Sequence, residues 1–188
     1  KVPDPTILAG FEELCGVSPP FSANGEAVIG VSLPGDIAPE AHKTLKSLGY
    51  TVWDWNGLKT PFADRVLSGT HTPEEVLALH REVSGFVTDR FHAAIFCMTQ
   101  KSIPVLFYES PKKWPLANSK GRDLFTRFGL ERYVFRDRHM LSDVEWMAKQ
   151  LASGELEGDE LPSIARSWGK EGLNSLIERM EHARIPVQ

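Results

Sequence analysis

The residues whose types and spacing best suit chemistry are Asp89, Arg90 and His92, in the run Thr88-Asp89-Arg90-Phe91-His92. An apolar segment precedes them and a helical pattern follows. The spacing puts Arg90 and His92 in the first turn of that helix, with Asp89 as its N-cap. A helix N-terminus carries about half a positive charge, and a cation there costs roughly 0.3–1 kcal/mol. Two basic side chains in one first turn therefore call for a compensating anion. With the N–H groups of the turn they make a phosphate or carboxylate site. A plainer reading also stands: Asp89 pairs with Arg90, and His92 is a satisfied, partly buried ring.

A second basic cluster follows the next apolar segment: Lys112, Lys113, Lys120 and Arg122. Asn118 or Ser119 is the N-cap of the helix that starts there, whose amides offer a second anion-accepting end. For any single lysine the alternative is a solvated loop. Glu109 is a candidate general base, or the partner of a nearby lysine. Trp53-Asp54-Trp55-Asn56 combines rings, a carboxylate and an amide, a set that suits a sugar face, although such rings more often belong to a core or an interface. The remaining histidines, His42, His71, His80, His139 and His182, lack metal-ligand spacing, so no metal is expected. Neither a P-loop nor a G-x-G-x-x-G run is present, and no cofactor is expected.

The elements that must position these residues alternate in type. Ala27–Leu33, Tyr50–Trp55, Gly85–Asp89 and Ile103–Tyr108 read as buried strands, and Tyr133–Phe135 as a short fifth. Between them lie helical patterns at Ala38–Leu48, from Thr72, at Arg90–Gln100 and at Asn118–Phe128. Thr72-Pro73-Glu74-Glu75 makes a capping box, and Ser142 with Glu145 a second one opening a further helix. Strands alternating with amphipathic helices specify a parallel sheet covered on both faces. Ligands bind beyond the carboxyl ends of such strands. That selects Pro34–Asp36, Asp54–Gly57, Asp89–His92 and Glu109–Lys120. The domain spans 27–160, after an entry segment over 1–26 and before a C-terminal helical arm over 161–188.

The composition bounds the partners. The 188 residues are 41% hydrophobic and 24% charged, as in ordinary globular domains. A net charge of −4 argues against a nucleic-acid protein, so an anion site has to be local. Two cysteines, Cys15 and Cys97, make no disulfide scaffold and fit a reducing cytoplasm. The opening Lys1-Val-Pro-Asp-Pro-Thr reads as the middle of a longer chain.

The ordered series Val83-Ser84-Gly85-Phe86-Val87-Thr88-Asp89-Arg90-Phe91-His92-Ala93-Ala94-Ile95-Phe96-Cys97, then Ile103-Pro104-Val105-Leu106, resembles the polysaccharide pyruvyl transferase family. Asp4-Pro5-Thr6, Ser110-Pro111-Lys112-Lys113, Asn118-Ser119-Lys120 and Phe128-Gly129-Leu130 fit the same pattern. Phe91 replaces the family's usual Leu, and Gln100-Lys101-Ser102 its usual Gly. The resemblance implies a Rossmann-like α/β domain, the C-terminal half of a GT-B-like architecture whose N-terminal domain is missing here. It implies transfer of a pyruvyl group from phosphoenolpyruvate to a saccharide acceptor. It implies His92 and Arg90 as catalytic residues, and Asp89, Phe91, Lys112, Lys113, Asn118, Ser119 and Lys120 as substrate-binding ones. A lipid-linked acceptor would bring the enzyme to a membrane surface peripherally. A nucleotide-sugar glycosyltransferase and a non-catalytic sugar- or anion-binding domain are the alternatives. Either would use the same sheet edge.

Overall fold

The computed structural model describes residues 17–67, 71–100, 104–113, 119–127, 129–136 and 140–153. Its frame is six parallel strands: β1 (Val28–Ser32), β2 (Thr51–Asp54), β3 (Arg65–Val66), β4 (Gly85–Thr88), β5 (Val105–Tyr108) and β6 (Val134–Phe135). Their spatial order is β3-β2-β1-β4-β5-β6. Among the described residues five α-helices accompany them: α1 (Ala38–Ser47), α2 (Pro73–His80), α3 (Phe91–Gln100), α4 (Lys120–Arg127) and α5 (Met140–Ser153).

The period-2 alternation of the strands sorts the core into two layers. Ile29, Val31, Val52, Val87 and Leu106 face α1 and α5, meeting Ala41, Leu45, Val144, Met147 and Ala148. Val28, Trp53, Phe86, Val105 and Phe107 face the other side, against Leu79 of α2, Ile95 of α3, and Leu124 and Phe125 of α4. Both faces of the sheet are therefore covered, as the continuous apolar strands require. This is a Rossmann-like α/β arrangement. The order reverses between β1 and β4, which makes their carboxyl ends the topological switch point.

Several local signals act as read. Thr72 caps α2, its hydroxyl accepting from Glu75 N–H while the Glu75 carboxylate accepts from Thr72 N–H. Gly49 and Gly129 end their helices with positive φ. Others differ. The strand Arg65–Val66 was not expected; two residues with an exposed arginine give no apolar run. Helix α5 starts at Met140, so Ser142 lies inside its first turn and is not an N-cap. The arm over 161–188 lies outside the described residues. Residues 17–26 are docked on the domain. Glu82 accepts the Ser22 hydroxyl and the Ala23 N–H, Arg81 donates to the Val17 carbonyl, and Phe21 packs edge-on to Trp53 at 4.9 Å.

Among the described residues no helix is long and apolar enough to cross a membrane.

Candidate anion site at the switch point

All four loops selected from the sequence follow parallel strands, so they meet along one sheet edge. The frame of this edge is hydrogen-bonded. Asp89 N–H donates to the Ser32 carbonyl at 3.1 Å, joining the end of β4 to the end of β1. Ser32 Oγ donates to Asn56 Oδ1 at 3.0 Å, and Asn56 Nδ2 donates to the Leu33 carbonyl, joining β1 to the turn after β2. Asp54 fixes that turn from beneath: its Oδ1 accepts from Asn56 N–H and Leu58 N–H, both at 2.8 Å. Gly57 turns the chain there with φ +75°, a conformation that suits glycine.

These turns enclose a cleft of about 330 Å³, lined by Leu33, Pro34, Gly35, Asn56, Gly57, Leu58 and Arg90. Among the described residues Arg90 is its one charged lining residue. The guanidinium is 60% exposed, while the neighbouring Asp89 carboxylate is only 3% exposed. Asp89 is not the N-cap expected of it. Helix α3 begins at Phe91, and the Arg90 carbonyl accepts its first bond, from Ala94 N–H. The Arg90 N–H goes to Thr88 Oγ1 at 2.9 Å. Asp89 instead takes a charge: its Oδ2 accepts from Lys113 Nζ at 2.7 Å. Its Oδ1 lies 3.4 Å from Arg90 Nε without hydrogen-bond geometry, and has no hydrogen-bond partner among the described residues.

The other expected site residues divide. Lys112 pairs with Asp36 at 2.9 Å, which bridges the loop after β5 to the loop after β1. This pair holds the Asp36 carboxyl below its usual range and raises the Lys112 ammonium above its own. His92 is exposed in the first turn of α3, its ring edge-on to Phe91 with centroids 5.6 Å apart. Phe91 is half-buried against the core. Lys120 is exposed at the start of α4. Asn118 lies outside the described residues.

Ser119 does cap α4, its Oγ accepting from Arg122 N–H at 3.0 Å. The amide end of that helix already holds an anion, however. The buried Glu109 carboxylate accepts Ser119 N–H through Oε1 and Arg122 Nε through Oε2, both at 2.9 Å. Burial raises the Glu109 pKa, but the bonds from Ser119 and Arg122 outweigh it and hold the carboxyl below its usual range. Glu109 is therefore a structural counter-ion of Arg122, not a general base and not a lysine partner.

Two groups were left open or unassigned in the sequence. Trp53 is buried, and Trp55 stacks beside it and meets Phe86 edge-on, so these rings serve the core and not a sugar face. His42 had no assigned role. Its Nε2 faces Asp54 Oδ2 at 3.2 Å with both side chains fully buried, and its Nδ1 lies 2.9 Å from Thr60 Oγ1. The His42–Asp54 contact is close enough for an ion pair but lacks hydrogen-bond geometry. His42 sits on the buried stripe of α1, and that stripe was its only signal.

Among the described residues no group of three metal-ligating side chains gathers. Cys97 is a buried free thiol whose pKa burial drives well up, so it is inert.

No protein-family model, no curated protein and no solved structure matches the chain.

Proposed function

We propose that this chain is the donor-binding half of a pyruvyl transferase of the polysaccharide type, with phosphoenolpyruvate held at the switch point of the sheet. The observation that carries this reading is the position of Arg90. An exposed guanidinium lines a cleft of about 330 Å³ at the carboxyl ends of β1, β2 and β4. That volume is at the small end for ligand sites and suits a compact dianion. A guanidinium fork matches a phosphate or carboxylate in two-point fashion. Lys112 and Lys113 hang from the adjoining loop and supply further positive charge.

The chemistry asks for these groups. One acceptor hydroxyl adds to the enol carbon of the donor while the methylene carbon gains a proton and becomes methyl. A second hydroxyl then closes the ketal as inorganic phosphate leaves. Arg90 steadies the donor's anionic groups as charge shifts toward the leaving phosphate. His92, in the first turn of α3, serves as proton donor or phosphate ligand. The acceptor and the second wall of the cleft belong to the missing domain of a GT-B-like pair, which orients the hydroxyl and excludes water.

The nucleotide-sugar alternative finds less support. It needs an acidic side chain at the end of β2 for the ribose. Asp54 stands there, but it is fully buried and committed to Asn56, Leu58 and His42.

Calorimetric titration separates the readings. The chain is expected to bind phosphoenolpyruvate and not a nucleoside diphosphate, and Arg90→Ala to lose that binding with its melting curve unchanged. Preference for the nucleotide, or equal binding by Arg90→Ala, sinks the proposal. A chain that binds the donor while the complete two-domain protein fails to transfer pyruvate to any saccharide would be a silent binding domain.

A further inference from the structure

The cations assigned to the ligand are already engaged by carboxylates of the same chain. Lys113 Nζ is on Asp89 Oδ2 at 2.7 Å, and Lys112 Nζ is on Asp36 Oδ2 at 2.9 Å. The two lysines are consecutive in the turn Ser110–Lys113, which is closed by Lys113 N–H donating to the Ser110 carbonyl. Asp36 belongs to the loop after β1 and Asp89 to the turn after β4. One turn is thus strapped to both sides of the switch point, at Asp36 and Asp89, whose chain neighbours Gly35 and Arg90 line the cleft.

The straps are unequal. Asp36 and Lys112 are both exposed, at 58% and 85%, so water and salt compete freely for their charges. Asp89 is nearly buried, and its Oδ1 lacks any hydrogen-bond donor among the described residues. A buried carboxylate with one oxygen unpaired is under-satisfied, because desolvation has removed water without a full replacement. Its counter-charges, Lys113 and Arg90, keep their heads half in solvent, at 53% and 60% exposure. They can turn to another anion without dragging the backbone.

We infer that Asp89, aided by Asp36, is a built-in competitor for the site's cations, and that the ligand anion binds by exchange, drawing Lys113 and Arg90 off Asp89. This rests on the reading of the cleft as an anion site. Asp89 is then an affinity-setting residue and not a ligand contact. The strap turn Ser110–Lys113 is closed by internal pairs in the empty site and by the ligand in the filled one. A consequence follows that a plain binding-site reading does not give. Neutralising Asp89 removes a repulsive charge and a rival acceptor together, so it should strengthen anion binding. At an effective dielectric constant near that of water, which suits cations half in solvent, one unit charge at about 3–4 Å changes affinity by about fivefold to tenfold.

The experiment is calorimetric titration of the full chain with phosphoenolpyruvate and, separately, with inorganic phosphate, at low and at moderate salt. The proteins are the unaltered chain, Asp89→Asn, Asp89→Glu, Asp36→Asn and Arg90→Ala. Asp89→Asn is expected to bind both ligands about tenfold more tightly, and Asp36→Asn about twofold, with the Asp36 gain vanishing in salt. Asp89→Glu restores the charge and should return affinity toward the unaltered value. Asp36→Asn alters only exposed groups, so it reports even where Asp89→Asn is unstable. Weaker binding in a folded Asp89→Asn, or an unchanged affinity in both Asp variants, overturns the exchange. The anion site itself survives that result as long as Arg90→Ala still abolishes binding. Tightening in both Asp variants with Arg90→Ala unaffected would keep Lys113 as the exchanged cation but overturn the part of Arg90 and the reading of its cleft as the site. Failure of every protein to bind either anion overturns both.

Discussion

Glu109 accepts the backbone N–H of Ser119 at 2.9 Å, so the end of β5 caps the start of α4 with a carboxylate. The same carboxylate takes the Arg122 guanidinium through its other oxygen. The amide end of α4 is thereby filled from within the chain, which leaves the cleft lined by Arg90 as the proposed anion site. Replacing Glu109 by Gln should cost about 1–3 kcal/mol near neutral pH, through the lost charged bonds. The folded-state pKa of Glu109 is depressed, so its contribution is present above the unfolded carboxylate range and fades as pH falls through the folded value. Urea midpoints of both proteins should therefore differ near pH 7 and converge in acid. A gap independent of pH would show that packing, not charge, explains the effect.

His80 gives a second pH dependence, of opposite chemical origin. It is buried between Trp55, Phe86 and Phe96, with Nδ1 on the Val76 carbonyl at 2.7 Å. Burial lowers its pKa from 6.5 to about 4, so the folded state keeps the ring neutral. The unfolded chain takes up a proton first as pH falls below about 6.5, and stability drops until the folded value is reached. At pH 5 the loss is on the order of 2 kcal/mol relative to pH 7. His80→Phe keeps an aromatic ring in the cluster and cannot titrate. Its stability should be flat over this range, as thermal melts at the two pH values would reveal.

A Cβ on Gly30 of β1 would sit 2.4 Å from the Phe86 ring and 3.0 Å from Trp55. Gly30→Ala should therefore strain the core and cost about 1–3 kcal/mol. The companion change Phe86→Leu in the same chain should recover part of that loss. Independent, additive costs for the two changes would mean that the ring is not what meets the new methyl group.

Asp54 sets the cleft wall through the amides of Asn56 and Leu58. Asp54→Ala leaves two backbone donors without their acceptor and removes the carboxylate beside the buried His42 ring, at about 2–5 kcal/mol. Because the wall is lined by Asn56–Leu58, donor affinity should fall as well, although Asp54 itself lies beneath the cleft. Normal phosphoenolpyruvate binding in the folded variant would show that the turn holds its shape without the carboxylate.

The architecture was legible because its signals are local. Val28–Ser32 and Gly85–Thr88 are apolar throughout, which only a strand buried on both faces tolerates. Thr72 and Glu75 sit three residues apart, and that spacing alone closes their reciprocal bonds. Ser142 and Glu145 have the same spacing, yet Ser142 lies within α5. The box pattern also occurs inside helices, and packing of Val144, Met147 and Ala148 carries α5 back to Met140.

By itself, then, the sequence determined the alternation of strands and helices, their buried stripes, and which loops follow strand carboxyl ends, because each depends on residues a few positions apart. Only the tertiary structure decided how the charges in those loops pair. Asp89 meets Lys113 across 24 positions and Asp36 meets Lys112 across 76. Likewise His42 meets Asp54 through the packing of α1 on β2, and Arg122 meets Glu109 through the approach of α4 to β5. A charge acts on whatever lies within a few ångströms, whatever its place in the chain. The partner of each charged group is therefore fixed by strand order and register, which come into being only when the sheet assembles.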